Sequence, residues 1–148
     1  MLKVSRVREG RVRARRCAVQ ALYQWQMQEE SAQKIVDEFE ECRELIKVDL
    51  IYFSKLVCEV AENFEELKQS LLVCLDMDWE RLDFVERSVL LLSAYEMRFC
   101  QDIPYQVVIN EGVELCKMFG TVEGFRFVNG SLDKLAKNLR PVESKVSA

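Results

Sequence analysis

Apolar positions along this chain recur at intervals of three and four, the repeat of a helix buried on one side, and nowhere alternate as a strand would. Ala14, Cys17, Ala18, Ala21, Leu22 and Trp25 make one such stripe and predict a helix from about Arg11 to Gln28. Ser31 is placed to cap a second, shorter helix whose inner face holds Ile35, Phe39 and Cys42. From Asp49, another good N-cap, the positions Leu50, Phe53, Val57, Val60, Phe64, Leu67 and Leu71 predict one long helix with a continuous packing seam.

The stretch DMDW at 76–79 interrupts the pattern, and a fourth helical run follows with Leu82, Val85, Val89, Leu92 and residues 95–97 in line. It must stop before Pro104, because proline disfavours helical geometry in the residue before it. Pro104 can open the next helix, with Val108, Ile109, Gly112, Leu115 or Cys116, and Phe119 inward and Gly120 at its end. TVEG is expected to be a loop. The last helix carries Phe127, Val128, Leu132, Leu135 and Leu139 and ends at Pro141, and VESKVSA looks too polar to pack. The expectation is an all-α chain: a basic flexible arm over residues 1–10, one helical domain over 11–140, and a disordered tail over 141–148.

Composition fits a chain with a real core. Its 148 residues are 49% apolar, with only short apolar runs and no signal-like segment, so a soluble, intracellular protein, cytoplasmic and away from membranes, is expected. The six cysteines (Cys17, Cys42, Cys58, Cys74, Cys100, Cys116) are widely separated and histidine is absent. That pattern argues against a zinc site or a histidine-activated nucleophile, and the thiols read as small apolar core residues. The carboxylates are scattered over helical surfaces and the glycines form no phosphate loop, so neither an enzyme nor a bound cofactor or metal is expected.

Charge changes the picture. Of 21 basic and 25 acidic side chains, seven and one fall in the first 16 residues, leaving 14 basic and 24 acidic over the remaining 132. A basic end on an acidic protein asks for a polyanionic partner or an acidic patch elsewhere. Arginine holds phosphate oxygens with two parallel donors, and aromatic rings stack unpaired bases. Tyr23 falls off the apolar stripe and is available to a partner, whereas Trp25 continues the stripe and reads as core. Phe125 and Phe127 flank Arg126. For Phe127, core and surface remain open.

Four segments in order, ARRCAVQALYQWQ, FVERSVLLLSAYE (84–96), IPYQVVINEGVEL (103–115) and FRFVNGSLDKLA (125–136), resemble the bacterial transcription antitermination factor family NusB. The resemblance runs from about Arg11 to Pro141. It implies a helical fold of two packed three-helix subdomains without catalytic activity. Family members bind the single-stranded boxA element of ribosomal RNA leader transcripts together with NusE, a small ribosomal protein, and join an antitermination complex on RNA polymerase. Some are homodimers when free; others are monomers until NusE binds.

Position by position, the resemblance implies that Arg11, Arg13, Arg15 and Arg16 contact RNA, with Phe127, Arg126 and Glu123 at the same surface. That shared surface requires the last helix to begin beside the first. Tyr23 and Glu86 match positions used toward NusE. Val12, Arg16 and Gly112 depart from the family's usual residues. Gly112 and Gly130, inside predicted helices, are expected where helices approach closely. Two rivals stand beside this reading. One is the RNA-binding domain of a ribosomal RNA cytosine methyltransferase, which needs a following α/β domain. The other is a purely protein-binding helical module whose basic end meets an acidic partner.

Overall fold

The computed structural model describes residues 2–120 and 122–147, and all regular structure among them is helical. The chain divides into two compact units, Met1–Glu62 and Asn63–Ala148.

The first unit is a three-helix bundle. α1 (Leu2–Met27) packs on α2 (Ala32–Cys42) and on α3 (Leu50–Glu62), which also pack on each other. The small side chains Ala14, Ala18 and Ala21 on α1 are fully buried, so its axis can lie close to its neighbours. Ser31 caps α2 as predicted: its Oγ accepts the Lys34 N–H at 3.2 Å. Asp49 does the same for α3, accepting the Tyr52 N–H at 3.0 Å. Phe39 and Phe53 meet in the core with ring centroids 5.8 Å apart. α1 begins at Leu2 instead of Arg11, so residues 2–10 continue a helix that the apolar stripe alone did not reveal. This segment is tied to the rest of the unit where the Asp49 N–H donates to the Gly10 carbonyl at 3.1 Å.

The long seam predicted from Leu50 to Leu71 is broken. α3 ends at Glu62, Asn63 turns the chain, and α4 (Phe64–Leu72) starts anew. Each half of the seam serves its own core. Phe53, Val57 and Val60 are buried in the first unit, and Leu67 and Leu71 in the second, where α4 packs on α5. Apolar periodicity records that a face is buried, not which body buries it, so it passed through the break unchanged.

The second unit is organised around α5 (Phe84–Phe99), which follows a 3-10 turn at Trp79–Arg81. Asp83 caps α5, accepting the Glu86 N–H at 2.7 Å. Ser88 through Met97 are all buried, with α4, α6 (Tyr105–Phe119) and α7 (Val122–Leu139) packed on α5. A helix wrapped on several sides is apolar all round, so the one-sided stripe expected for it was too narrow. α6 matches its prediction, with Val108, Ile109, Gly112, Leu115 and Cys116 buried and Gly120 at its C-terminal end. A Cβ on Gly112 would lie 2.7 Å from Ser93 Oγ and 2.9 Å from Leu132 Cδ1, so the glycine permits the close approach of α6 to α5 and α7.

Three expectations fail here. Of the expected loop TVEG, Thr121 lies outside the described residues and 122–124 are helical, because α7 already begins at Val122. Gly130 has open space around its Cβ position, so close packing does not explain it. The chain does not leave the fold at Pro141: Pro141–Ser147 forms α8, which packs on α7. The cause is Arg140, only 4% exposed. Its guanidinium donates to the carbonyls of Met97 (2.7 Å), Ile103 (2.9 Å), Cys100 (3.1 Å) and Glu96 (3.3 Å), tying together the last turn of α5 and the segment that follows it. Glu143 on α8 closes the arrangement, accepting from Arg140 at 2.7 Å and from the Tyr105 N–H at 3.1 Å.

Candidate nucleic-acid interface

At 100° per residue, Arg11 and Arg15 lie on one side of α1, with Arg13 and Arg16, three residues apart, together on the other. The structure gives these arginines different environments. Arg11 and Arg15 both lie over the ring of the buried Tyr52 on α3, at 4.8 Å and 5.7 Å from its centroid. Arg11 keeps part of its surface in solvent, but Arg15 is only 5% exposed. The expectation that Arg15 contacts RNA is therefore revised: its guanidinium is packed beneath the surface, where it supports the helix. Arg13 is paired with Glu9 at 3.0 Å but remains 40% exposed, and Arg16 is exposed. An exposed i, i+4 ion pair is worth only about 0.3–0.5 kcal/mol, so Glu9 holds Arg13 weakly.

The same unit carries Tyr23, 42% exposed as its position off the stripe predicts. Trp25, expected in the core, is half-buried. Arg43, which no sequence pattern singled out, lies 4.1 Å over the Phe39 ring and donates to Gln20 Oε1 at 2.8 Å.

The second unit holds the other candidates. Arg126 is exposed, and Phe125 and Phe127 are half-buried, so Phe127 is neither fully core nor fully free. Glu123 is exposed in the first turn of α7. Glu86 is half-buried beside Asp83. Burial, reinforced by the hydrogen bond to and charge of Asp83, pushes the Glu86 carboxyl up to about 7. The same two carboxylates add to burial in raising the Cys116 thiol to about 11.

The cysteines divide by location. Cys74, Cys100 and Cys116 are buried as expected, Cys17 and Cys58 are half-buried, and Cys42 is exposed, contrary to the inner-face prediction. All six are free thiols. Burial raises Cys17, Cys58 and Cys74 as well, so these thiols stay protonated near neutrality and are poor nucleophiles.

The sequence profile of the NusB family matches residues 12–137. This chain belongs to the NusB family. The transcription antitermination protein NusB of Pseudomonas savastanoi pv. phaseolicola is 48% identical over 132 residues, covering 89% of this chain and 80% of the relative. The protein of the same name from Pseudoalteromonas translucida is 42% identical over 131 residues, covering 88% of this chain and 96% of the relative. Among solved structures, T. maritima NusB superposes with a TM-score of 0.79 at 30% identity, covering 92% of this chain and 96% of that one. The NusB profile includes Arg13, Arg15, Arg16, Tyr23, Glu86, Arg126 and Phe127, while Arg11 and Arg140 lie just outside it. The curated NusB relatives are named as transcription antitermination proteins, not as enzymes. Among the described residues no helix is long and apolar enough to cross a membrane.

Proposed function

We propose that this chain is an RNA-binding transcription antitermination factor that engages the single-stranded boxA element of ribosomal RNA leader transcripts. It does so together with NusE and joins the antitermination complex on RNA polymerase. The observation that carries this reading is family membership over most of the chain, joined to a basic α1 whose Arg13 and Arg16 remain accessible. Arg11, Arg13 and Arg16 grip phosphate oxygens, and within the second unit Arg126 and Phe127 are further RNA contacts. Arg15 holds its neighbour Tyr52 instead of the RNA. Tyr23 and Glu86 face NusE, where a basic side chain of the partner would draw the proton off Glu86 and form a charge-assisted bond.

The test is titration of the protein with a boxA-type RNA and a scrambled control, each with and without NusE. Tighter binding to the boxA sequence, strengthened by NusE, is expected. Equal binding to both RNAs under both conditions overturns the specific reading.

A further inference from the structure

We propose that Phe125, with Lys117 of α6 and Arg126 of α7 beside it, is a nucleotide-binding subsite that stacks one unpaired base and clamps its phosphate. The inference rests on the RNA-binding reading above and adds to it a subsite that the family-matched aromatic, Phe127, does not provide.

The geometry lies within one unit. α6 and α7 pack on each other, and the short connection between them brings the end of one beside the start of the other. Lys117 Nζ, in the last turn of α6, lies 5.0 Å from the Phe125 ring centroid, and the Arg126 guanidinium carbon lies 5.9 Å from it. Phe125 is half-buried and Arg126 exposed. Lys117 is 49% exposed on its side chain, and its ion pair with Glu114 spans 3.6 Å. Nothing here locks the lysine onto the ring. An exposed cation–π contact is weaker than the stacking of a base on an aromatic face, so a base can displace the ammonium. The displaced Lys117 and the neighbouring Arg126 would then stand on either side of that nucleotide's phosphate.

Phe127 cannot share this role. Two residues apart on a helix point about 200° apart, so the two rings lie on opposite flanks of the buried stripe formed by Val128, Leu132 and Leu135. Lys117 and Arg126 both border the ring of Phe125. A single-stranded RNA suits this cluster better than a duplex, because only an unpaired base exposes its face to a ring.

The experiment titrates a fluorescent single-stranded boxA-type RNA against the full chain, with and without NusE, over a range of salt concentrations. Wild type is compared with Phe125→Leu, Phe125→Trp and Lys117→Gln, and melting is followed on each. Phe125→Leu keeps apolar volume but has no aromatic face, so it should fold normally and bind about tenfold more weakly at every salt concentration. Phe125→Trp should retain or improve affinity. Lys117→Gln should reduce the magnitude of the slope of log K against log salt by about 0.7, one phosphate contact on a single strand. Wild-type affinity in a folded Phe125→Leu variant overturns the subsite. So does an unchanged salt slope in Lys117→Gln, or loss of NusE binding alone, which would make the cluster a protein-docking face. If wild type itself does not bind the RNA, with or without NusE, the RNA-binding reading fails as a whole, an outcome distinct from failure of the subsite.

Discussion

Two regions of this molecule use arginine in opposite ways. On α1 of the first unit, Arg13 and Arg16 keep much of their surface in water, and the ion pair of Arg13 with Glu9 is weak. In the second unit, Arg140 is buried and donates to four backbone carbonyls and to Glu143. Guanidinium chemistry is the same in both places. What differs is whether the fold supplies the acceptors: where it does, arginine is a structural plug, and where it leaves donors at the surface, a partner's phosphates can use them. Arg15 stands between the two cases, buried as Arg140 is, yet placed over the ring of Tyr52.

The sharpest way to break this comparison is to remove Arg140. Arg140→Met removes five hydrogen bonds, four of them to backbone carbonyls, and takes from Glu143 its ion-pair partner. Denaturant unfolding should show a loss on the order of 3 kcal/mol. A loss below about 1 kcal/mol would mean that water replaces the guanidinium easily and that Arg140 is no plug.

On α1 the expected effects reverse. The double variant Arg13→Ala, Arg16→Ala should change stability by no more than about 1 kcal/mol, since each is a surface change. Its RNA binding, measured across a salt series, should lose about 1.4 from the magnitude of the slope, two contacts at about 0.7 each. Arg15→Met should do the contrary, lowering the melting temperature and leaving the slope as it was. A slope that flattens in folded Arg15→Met would return that residue to the RNA surface.

Two of the helical glycines, Gly112 and Gly130, sharpen the role of packing in the second unit. Gly112→Ala forces a Cβ against Ser93 and Leu132, and overpacking of this kind costs about 1–3 kcal/mol. Gly130→Ala meets nothing and should stabilise by about 1 kcal/mol through helix propensity. Thermal melts of the pair decide, and equal shifts would contradict the contact geometry at Gly112.

A pH dependence is expected at Glu86. Its carboxyl is raised from the ordinary 4.5 to about 7 in the fold, so the folded state holds a proton that the unfolded chain releases. Stability should therefore fall as pH rises from about 4.5 to 7. Glu86→Gln should remove that fall, which unfolding curves at a series of pH values would detect. An identical pH profile in the variant would place the titration elsewhere.

Local chemistry made much of this protein legible from its residues. The capping roles of Ser31 and Asp49, the boundaries at Pro104 and Gly120, and the inward face of α6 depend on side chains within a few positions of one another, and each stands where the pattern put it. The family segments likewise carried the all-helical fold, and the charge asymmetry of the first 16 residues marked the basic helix. Tertiary structure decided the rest. Arg15 and Arg16 are adjacent and chemically identical, yet one is buried and the other exposed, because only α3 brings Tyr52 to one side of α1. Arg140 looked like the last residue before a polar tail until the end of α5, more than thirty residues earlier in the chain, supplied its acceptors. Lys117 showed no link to Phe125 until the packing of α6 on α7 joined them. Periodicity reports that a side chain is covered; which element covers it, and whether its hydrogen bonds are satisfied there, is settled only when distant segments meet.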